Sequence, residues 1–495
     1  MRYSAAWRWP VFVLTLWEPS AQSNRHKMLK PTPKSGPKSA SKSGSVSRQH
    51  DHTGWRHIWQ LAWPIMLSNV TIPLVGAVDV AMMGRLDDPV FIGGVGLGMI
   101  VFNFIYFGLG FLRMGTTGLV AQMYGTGQDD KIAFLLIRGI TLAFGLGGVF
   151  ILASPLVSTI AVNAFSASEL AEQLMVEYIS IRIFAVPAAL ANMVLLGGLY
   201  GRQQMRLGMG LLFLVNGINL VLDVILVTGF GMSVNGVALA SVAAQWGGLA
   251  FMIWRITRRW PGQLGRLLRP PTGARLPGWL DLAAYRQFFS LGRDIFIRTI
   301  LLIGCEALLL NEAAKLDDLA LATCQIMLSL FGLLAFAIDG FAHAAEALVG
   351  EAIGRRNPLM LRIVIRRTNY LAGMMALMLA CLLWAGQGVI LALLTSQEEL
   401  IIFIDDYWKW VIILPLVSFL AFQMDGIFVG ATKGTQMRNA MIIASAGFAI
   451  AIFYLAVGLA GLMASFASYL ALRGISLWCL IGHVHAEAEP LKNDT

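Results

Sequence analysis

The chain has 495 residues, of which 57% are hydrophobic and only 13% charged, and its formal net charge is +9. A soluble domain carries roughly 25% charged residues, so a water-soluble globular protein is excluded. The Lys and Arg residues stand between long apolar runs rather than in one patch, which argues against nucleic acid as partner and for loop charges beside a lipid bilayer.

Residues 1 to 54 read as a disordered cytoplasmic N-terminal tail, because Ser23 to Ser47 is rich in Lys, Ser, Pro and Gly and cannot bury a core. The apolar patch Trp9 to Trp17 is too short to span a bilayer and lacks a clear cleavage site, and Met28 is an alternative start to Met1. Twelve apolar segments follow, at about 57–83, 91–123, 132–153, 176–200, 206–228, 234–256, 287–312, 318–353, 364–387, 403–430, 437–457 and 460–482. Pro64 and Pro73 in the first, Pro187 in the fourth and Pro415 in the tenth interrupt the backbone ladder and allow kinks. The four cysteines show no metal spacing and are expected to be small core residues.

The halves echo each other. Leu86-Asp87-Asp88 returns as Leu316-Asp317-Asp318, and Gly118-Leu119-Val120-Ala121-Gln122-Met123-Tyr124-Gly125 as Ala347-Leu348-Val349-Gly350-Glu351-Ala352-Ile353-Gly354, at offsets of 229 to 230. Gly201 and Gln204-Met205-Arg206 are matched by Gly430 and Gln436-Met437-Arg438. The expectation is an all-α polytopic membrane protein of twelve transmembrane helices in two six-helix lobes. An N-lobe (55–256), a basic cytoplasmic linker (257–286) and a C-lobe (287–483) precede a C-terminal tail (484–495).

Arg and Lys concentrate after even-numbered spans, as at Arg202, Arg206, Arg258, Arg355, Arg356 and Arg438, whereas loops after odd-numbered spans carry Glu169, Glu172, Glu398 and Glu399. The positive-inside rule therefore places both termini in the cytoplasm. With an even number of spans per copy, the lobes form a parallel repeat about an axis along the membrane normal.

Ionisable groups inside spans cost several kcal/mol unless paired or hydrated, so they mark candidate sites. Asp79, Asn219, Asp223, Tyr178 and Ser241 come from four helices of one lobe at similar depth in its outer half, with Asn219 and Asp223 on one face at i, i+4. Two carboxylates with an amide and hydroxyls can hold a proton or ligate a small hard cation such as Na+ at Asp79, Asn219 and Asp223. A second, inner cluster comprises Arg293, Asp294 and Arg298 on the seventh span, Asp339, His343 and Glu346 along one face of the eighth, and Asp425 on the tenth. It reads as one paired network, and histidine's readiness to change charge near neutral pH keeps a relay or gate at His343 open. Glu306 stands apart, in the outer half of the seventh span. No phosphate-binding loop, hydrolase triad or metal motif occurs, so neither an enzyme nor an organic cofactor is expected.

At these residues the chain resembles a known family. Leu61-Ala62-Trp63-Pro64, Asp79 ahead of Gly84, and Asn219-Leu220-Val221-Leu222-Asp223 followed by Gly236-Val237-Ala238-Leu239-Ala240 and Gln245 resemble the multidrug and toxic compound extrusion (MATE) transporters. Gly110-Phe111-Leu112-Arg113-Met114-Gly115, Asp294-Ile295-Phe296-Ile297-Arg298-Thr299, Ala337-Ile338-Asp339-Gly340-Phe341-Ala342-His343 and Asp425-Gly426-Ile427-Phe428 are similar to the branch of DNA-damage-inducible protein F. The resemblance covers residues 57–482 and implies a V-shaped cation-coupled antiporter driven by H+ or Na+. It implies that Asp79 is the first-helix acid whose protonation bends that helix at Pro64 or Pro73. Asn219 and Asp223 match the cation-site pair, and Tyr178 and Ser241 neighbouring positions, Ser241 standing where a threonine is commoner. Glu306 and Asp425 fall near acids used by another branch, but Ala421 replaces the tyrosine expected there.

The leading reading is a monomeric exporter of small cationic or amphipathic compounds in the inner (plasma) membrane. A flippase for lipids or lipid-linked precursors is the alternative, favoured by a cationic central cavity, and a channel stands third.

Overall fold

In a computed structural model, the residues described are 53–83, 88, 90–165, 167–259, 282–455 and 457–489. The sequence expectations for Trp9 to Trp17, Met28, most of the N-terminal tail, the linker core 260–281 and the last six residues lie outside them.

The described chain is helical, and apolar helices are what a bilayer demands, since every N–H and C=O inside it must be paired within the segment. In the first half the helices are α1 (Trp55–Met83), α2 (Val90–Gly108), α3 (Phe111–Gly125), α4 (Asp129–Leu152), α5 (Ser154–Ala164), α6 (Glu169–Arg182), α7 (Val186–Gly201), α8 (Met205–Asp223) and α9 (Val234–Arg259). In the second they are α10 (Leu282–Ala314), α11 (Asp318–Gly354), α12 (Pro358–Ala385), α13 (Gln387–Leu394), α14 (Glu398–Gly430), α15 (Gly434–Ile450), α16 (Gly458–Cys479) and α17 (Gly482–Glu487). Read as rods, with α2–α3 and α6–α7 each one broken span, they make twelve transmembrane segments in two six-helix lobes. Eleven of these are long and apolar enough by composition; α10 falls short because Arg286, Arg293, Asp294, Arg298 and Glu306 crowd it.

The duplication is visible in the helix starts. Asp129 and Pro358, Glu169 and Glu398, and Met205 and Gly434 open corresponding helices 229 residues apart. Two π-helical turns also correspond, Val224–Gly229 after α8 and Ala451–Leu455 after α15. The acid pairs that first signalled the repeat are helix starters: the Asp88 carboxylate accepts from Val90 N at 2.9 Å, and that of Asp317 from Ala320 N at 2.6 Å. Gln203 and Thr432, equivalent residues, both adopt the left-handed backbone (φ 60° and 55°) in the turns after α7 and α14.

The second and fourth spans are each broken, the second without a proline and the fourth where Pro187 allowed a kink. The second breaks at Leu109-Gly110, where Gly110 N bonds Phe107 O at 3.2 Å and a new ladder starts with Met114 N on Gly110 O. The fourth passes through a 3-10 turn at Ile183–Ala185, immediately before Pro187, which has no N–H to continue an α-ladder. In contrast, α1 runs unbroken through Pro64 and Pro73, and α14 through Pro415. Of the cysteines expected in the core, Cys305 and Cys324 are buried but Cys381 and Cys479 are exposed, facing outward from their helices.

The lobes meet along α3, α11 and α14, and α1 also packs on α11. Backbones touch there: a Cβ on Gly118 would stand 2.2 Å from Val429 O, and one on Gly354 2.1 Å from Gln122 O, so only glycine fits either place. Polar bonds across this seam gather at one end of the bundle, the sealed end. Gln122 Nε2 donates to Gly430 O (3.0 Å) and Thr432 Oγ1 (3.3 Å), and Gln203 Nε2 donates to Glu351 Oε2 (2.5 Å).

Candidate functional site

The N-lobe site lies toward the end away from that seal, built by α1, α6, α8 and α9. Asp79 is 1% and Asp223 0% exposed, although both are charged residue types in apolar helices. The two carboxyl groups are near enough to act on each other, so that they can share one proton. Asp223 is the last residue of α8 before the π turn Val224–Gly229, a helix irregularity that recurs at functional positions. Asn219, one turn earlier, donates from Nδ2 to Ser241 Oγ of α9 at 3.4 Å.

Tyr178 is fully buried on α6. It fits because α2 has Gly98 opposite, where a Cβ would stand 2.3 Å from Tyr178 Cδ1. Its ring meets Phe102 edge-on at 6.1 Å. Arg182 lies against both rings, its guanidinium carbon 5.3 Å from the Phe102 centroid and 5.4 Å from that of Tyr178. Arg182 Nη1 also donates to Ser241 Oγ. Both oxygens of Asp223, Oδ1 of Asp79, the Tyr178 hydroxyl and Nε of Arg182 are buried without a hydrogen-bond partner. Such groups are costly unless something binds them, so the arrangement is suited to take up a proton, water or ligand.

In the C-lobe the direct ion pairs and hydrogen bonds of the expected network fall into three groups. Asp425 Oδ2 accepts from both Arg298 and Arg473, all three side chains being buried. Glu346, 2% exposed, is bonded by His343 Nδ1 at 2.9 Å and pairs with Arg113 of α3 at 3.6 Å, which joins the lobes. Asp294 is held by Arg438 Nη1 and Thr435 Oγ1, both at 2.7 Å, and by its neighbour Arg293 at 3.2 Å. Asp294 also lines a cavity of about 370 Å³ with Arg286, Ser290 and Thr435. Helical spacing reports which residues share a face, not which neighbour that face meets, and Asp339 stands in the field of both the Asp425 and the Glu346 groups. Asp339 is half-buried near Arg473 and His343, and Glu306 is half-buried near Arg473. Among the described residues no three His, Cys, Asp or Glu side chains gather as metal ligands do.

A family model described as MatE matches residues 64–225 and again 295–455, one copy in each lobe. The chain belongs to the MatE family. This MatE protein is 38% identical over 424 residues to DNA damage-inducible protein F of Escherichia coli K12, covering 85% of this chain and 90% of that one. It is 25% identical to a probable multidrug resistance protein NorM of Neisseria meningitidis, over 64% of this chain and 67% of that one. Solved MATE structures in the bent and the straight conformation align with TM-scores of 0.78 and 0.77 at 18% identity, covering 90% and 89% of this chain and 99% and 98% of theirs, which supports the two-lobe fold.

The MatE chain is therefore a multi-pass membrane protein of a multidrug and toxic compound efflux family, a transporter and not an enzyme. Its first matched segment holds Asp79, Tyr178, Asn219 and Asp223; its second holds Arg298, Glu306, Asp339, His343, Glu346 and Asp425. Three arginines of these sites, Arg113, Arg182 and Arg473, were not singled out from the sequence as site residues. The signal was present, since Arg182 lies one turn after Tyr178 and Arg473 sits inside the twelfth span, where any charge marks a site.

Proposed function

We propose that this MatE protein is a cation-coupled antiporter that exports small cationic or amphipathic compounds by alternating access, with H+ or Na+ as the coupling ion. The supporting observation is the pair Asp79 and Asp223, buried near each other with unpartnered oxygens. Ion uptake there changes the charge of a site shared by α1 and α8. Pro64 and Pro73 leave carbonyls of α1 without a ladder donor, and that is where the helix bends when Asp79 changes state. On this reading both termini lie in the cytoplasm and the protein sits in the inner membrane, since Arg202, Arg355, Arg356 and Arg438 fall in the turns or helix starts after even-numbered spans. The flippase alternative calls for a cationic central cavity, whereas Arg298 and Arg473 are tied to Asp425. Proteoliposome efflux of an organic cation, driven separately by proton and sodium gradients, tests the reading. Gradient-driven export supports it, and steady gradient-independent currents contradict it.

A further inference from the structure

The antiporter reading leaves Arg182 unused, although it is the only basic side chain placed among the N-lobe carboxylates by the described residues. Asp79 and Asp223 supply two negative charges when ionised. A site of that charge with nearby amide and hydroxyl oxygens is what a small hard cation seeks. Arg182 changes this in two ways. Its guanidinium adds a permanent positive charge, since arginine is not deprotonated in proteins, and it acts on both carboxylates across a low-dielectric space. It also occupies an oxygen: Ser241 Oγ accepts from Arg182 Nη1 and from Asn219 Nδ2, which uses both lone pairs of the hydroxyl. Ser241 Oγ is thereby turned to these two donors rather than to the site.

The arginine is fixed in place. Its planar head lies against both the Phe102 and the Tyr178 ring, and the hydroxyl of Ser241 anchors one end. Among the described residues it makes no direct ion pair with either carboxylate, so the acids are left uncompensated by contact while sitting in its field. The titratable groups that act on the pair are Arg182 and Tyr178 from α6, with Tyr106 of α2 behind them against Arg182, and the uncharged Asn219 and Ser241 stand beside Arg182 on α8 and α9. With Arg182 counted, the ionised site carries one net negative charge, which a single proton shared between Asp79 and Asp223 neutralises.

We propose that Arg182 is a built-in counter-cation that sets the ion selectivity of the N-lobe, excluding sodium and leaving the Asp79–Asp223 pair to a proton. The residues present do not suit sodium: Arg182 cancels one of the two carboxylate charges, and the Ser241 hydroxyl oxygen is already taken by its two donors. The proposal rests on the antiporter reading for its biological meaning, but its core is a statement about ion binding that stands apart from transport. Replacing Arg182 by glutamine removes the charge and frees Ser241, so the site becomes a carboxylate pair with free oxygen ligands.

The test is equilibrium binding of radioactive sodium to the purified full-length protein in lipid nanodiscs. Wild type and Arg182→Lys are expected to show no saturable sodium binding. Arg182→Gln is expected to bind sodium saturably, at least roughly tenfold tighter than wild type, as removal of one unit charge a few Å away implies. Adding Asp223→Asn to Arg182→Gln should abolish that binding. Saturable sodium binding by the wild type overturns the proposal, and so does a folded Arg182→Gln protein that binds no sodium. The wild type supplies a second measurement that needs no variant to fold. Export driven by a proton gradient and indifferent to sodium supports the assignment, and acceleration by an imposed sodium gradient overturns it. A wild type that moves no organic cation under either gradient defeats the antiporter reading while leaving the sodium-binding result intact.

Discussion

Gln203 and Glu351, one in each lobe, are hydrogen-bonded at 2.5 Å, and their repeat equivalents Thr432 and Gln122 are bonded at 3.3 Å. The duplicated sequence has thus produced a two-fold-like latch, in which each lobe's left-handed turn residue meets the other lobe's helix end. Gln203 keeps φ at 60°, a conformation disfavoured for a side chain with a Cβ, and the latch gives that strain a purpose. Alternating access requires the sealed end to open, and the latch must then break.

The first prediction concerns that opening. A hydrogen bond to a charged group contributes about 1.5–3 kcal/mol and a neutral one about 1 kcal/mol. Gln203→Ala should therefore shift the open–closed balance about tenfold or more, and Gln122→Ala, which loses two neutral bonds, by a similar factor. Spin labels at the exposed residues Gln128 and Leu359, one per lobe, report the change as a longer-distance population. Unchanged distance distributions in the Gln122→Ala/Gln203→Ala protein would remove the latch from the mechanism.

The buried charges give a second prediction. Arg298 and Asp425 touch, so a double-mutant cycle of Arg298→Met and Asp425→Asn should show a coupling of roughly 0.5–3 kcal/mol. Single removal of Asp425 leaves two buried arginines without their shared partner and should cost about 3–5 kcal/mol. Arg298 and Glu346 belong to different groups, so their losses should add within about 0.5 kcal/mol. Denaturation of the purified variants measures all three, and strong Arg298–Glu346 coupling would restore the single network.

How far the chain was legible follows from these same residues. The spans were readable because a bilayer imposes long apolar runs, and the repeat because it left its marks at Asp88 and Asp317, which start helices. Asp79, Asn219 and Asp223 could be placed at one depth from position alone. Pro187 marked the fourth span for the break at Ile183–Ala185, but the break at Leu109-Gly110 and the π turns after Asp223 and Ile450 were not readable. They depend on which of several nearly equivalent carbonyls each N–H selects once neighbouring helices have packed. The partners of Asp425 were partly hidden for a related reason: Arg473 lies 48 residues away on another helix, and its role is set by how α14 and α16 pack.

Orientation is a third prediction. Tags at Gly265 and at the C-terminus should be accessible only from the cytoplasm, and one inserted between Ser166 and Glu172 only from outside. An external tag at Gly265 would invert the proposed topology and with it the direction of the latch.

The carboxylate pair carries the central claim. Asp79→Asn and Asp223→Asn each remove a proton-binding oxygen while keeping size and burial, so the proteins should fold and insert. The deciding measurement is organic-cation efflux from proteoliposomes under an imposed gradient, comparing wild type with each variant. The account predicts that both variants lose gradient-driven export although they insert normally; wild-type efflux rates in both would contradict it and move the coupling site to Glu306 or the C-lobe acids.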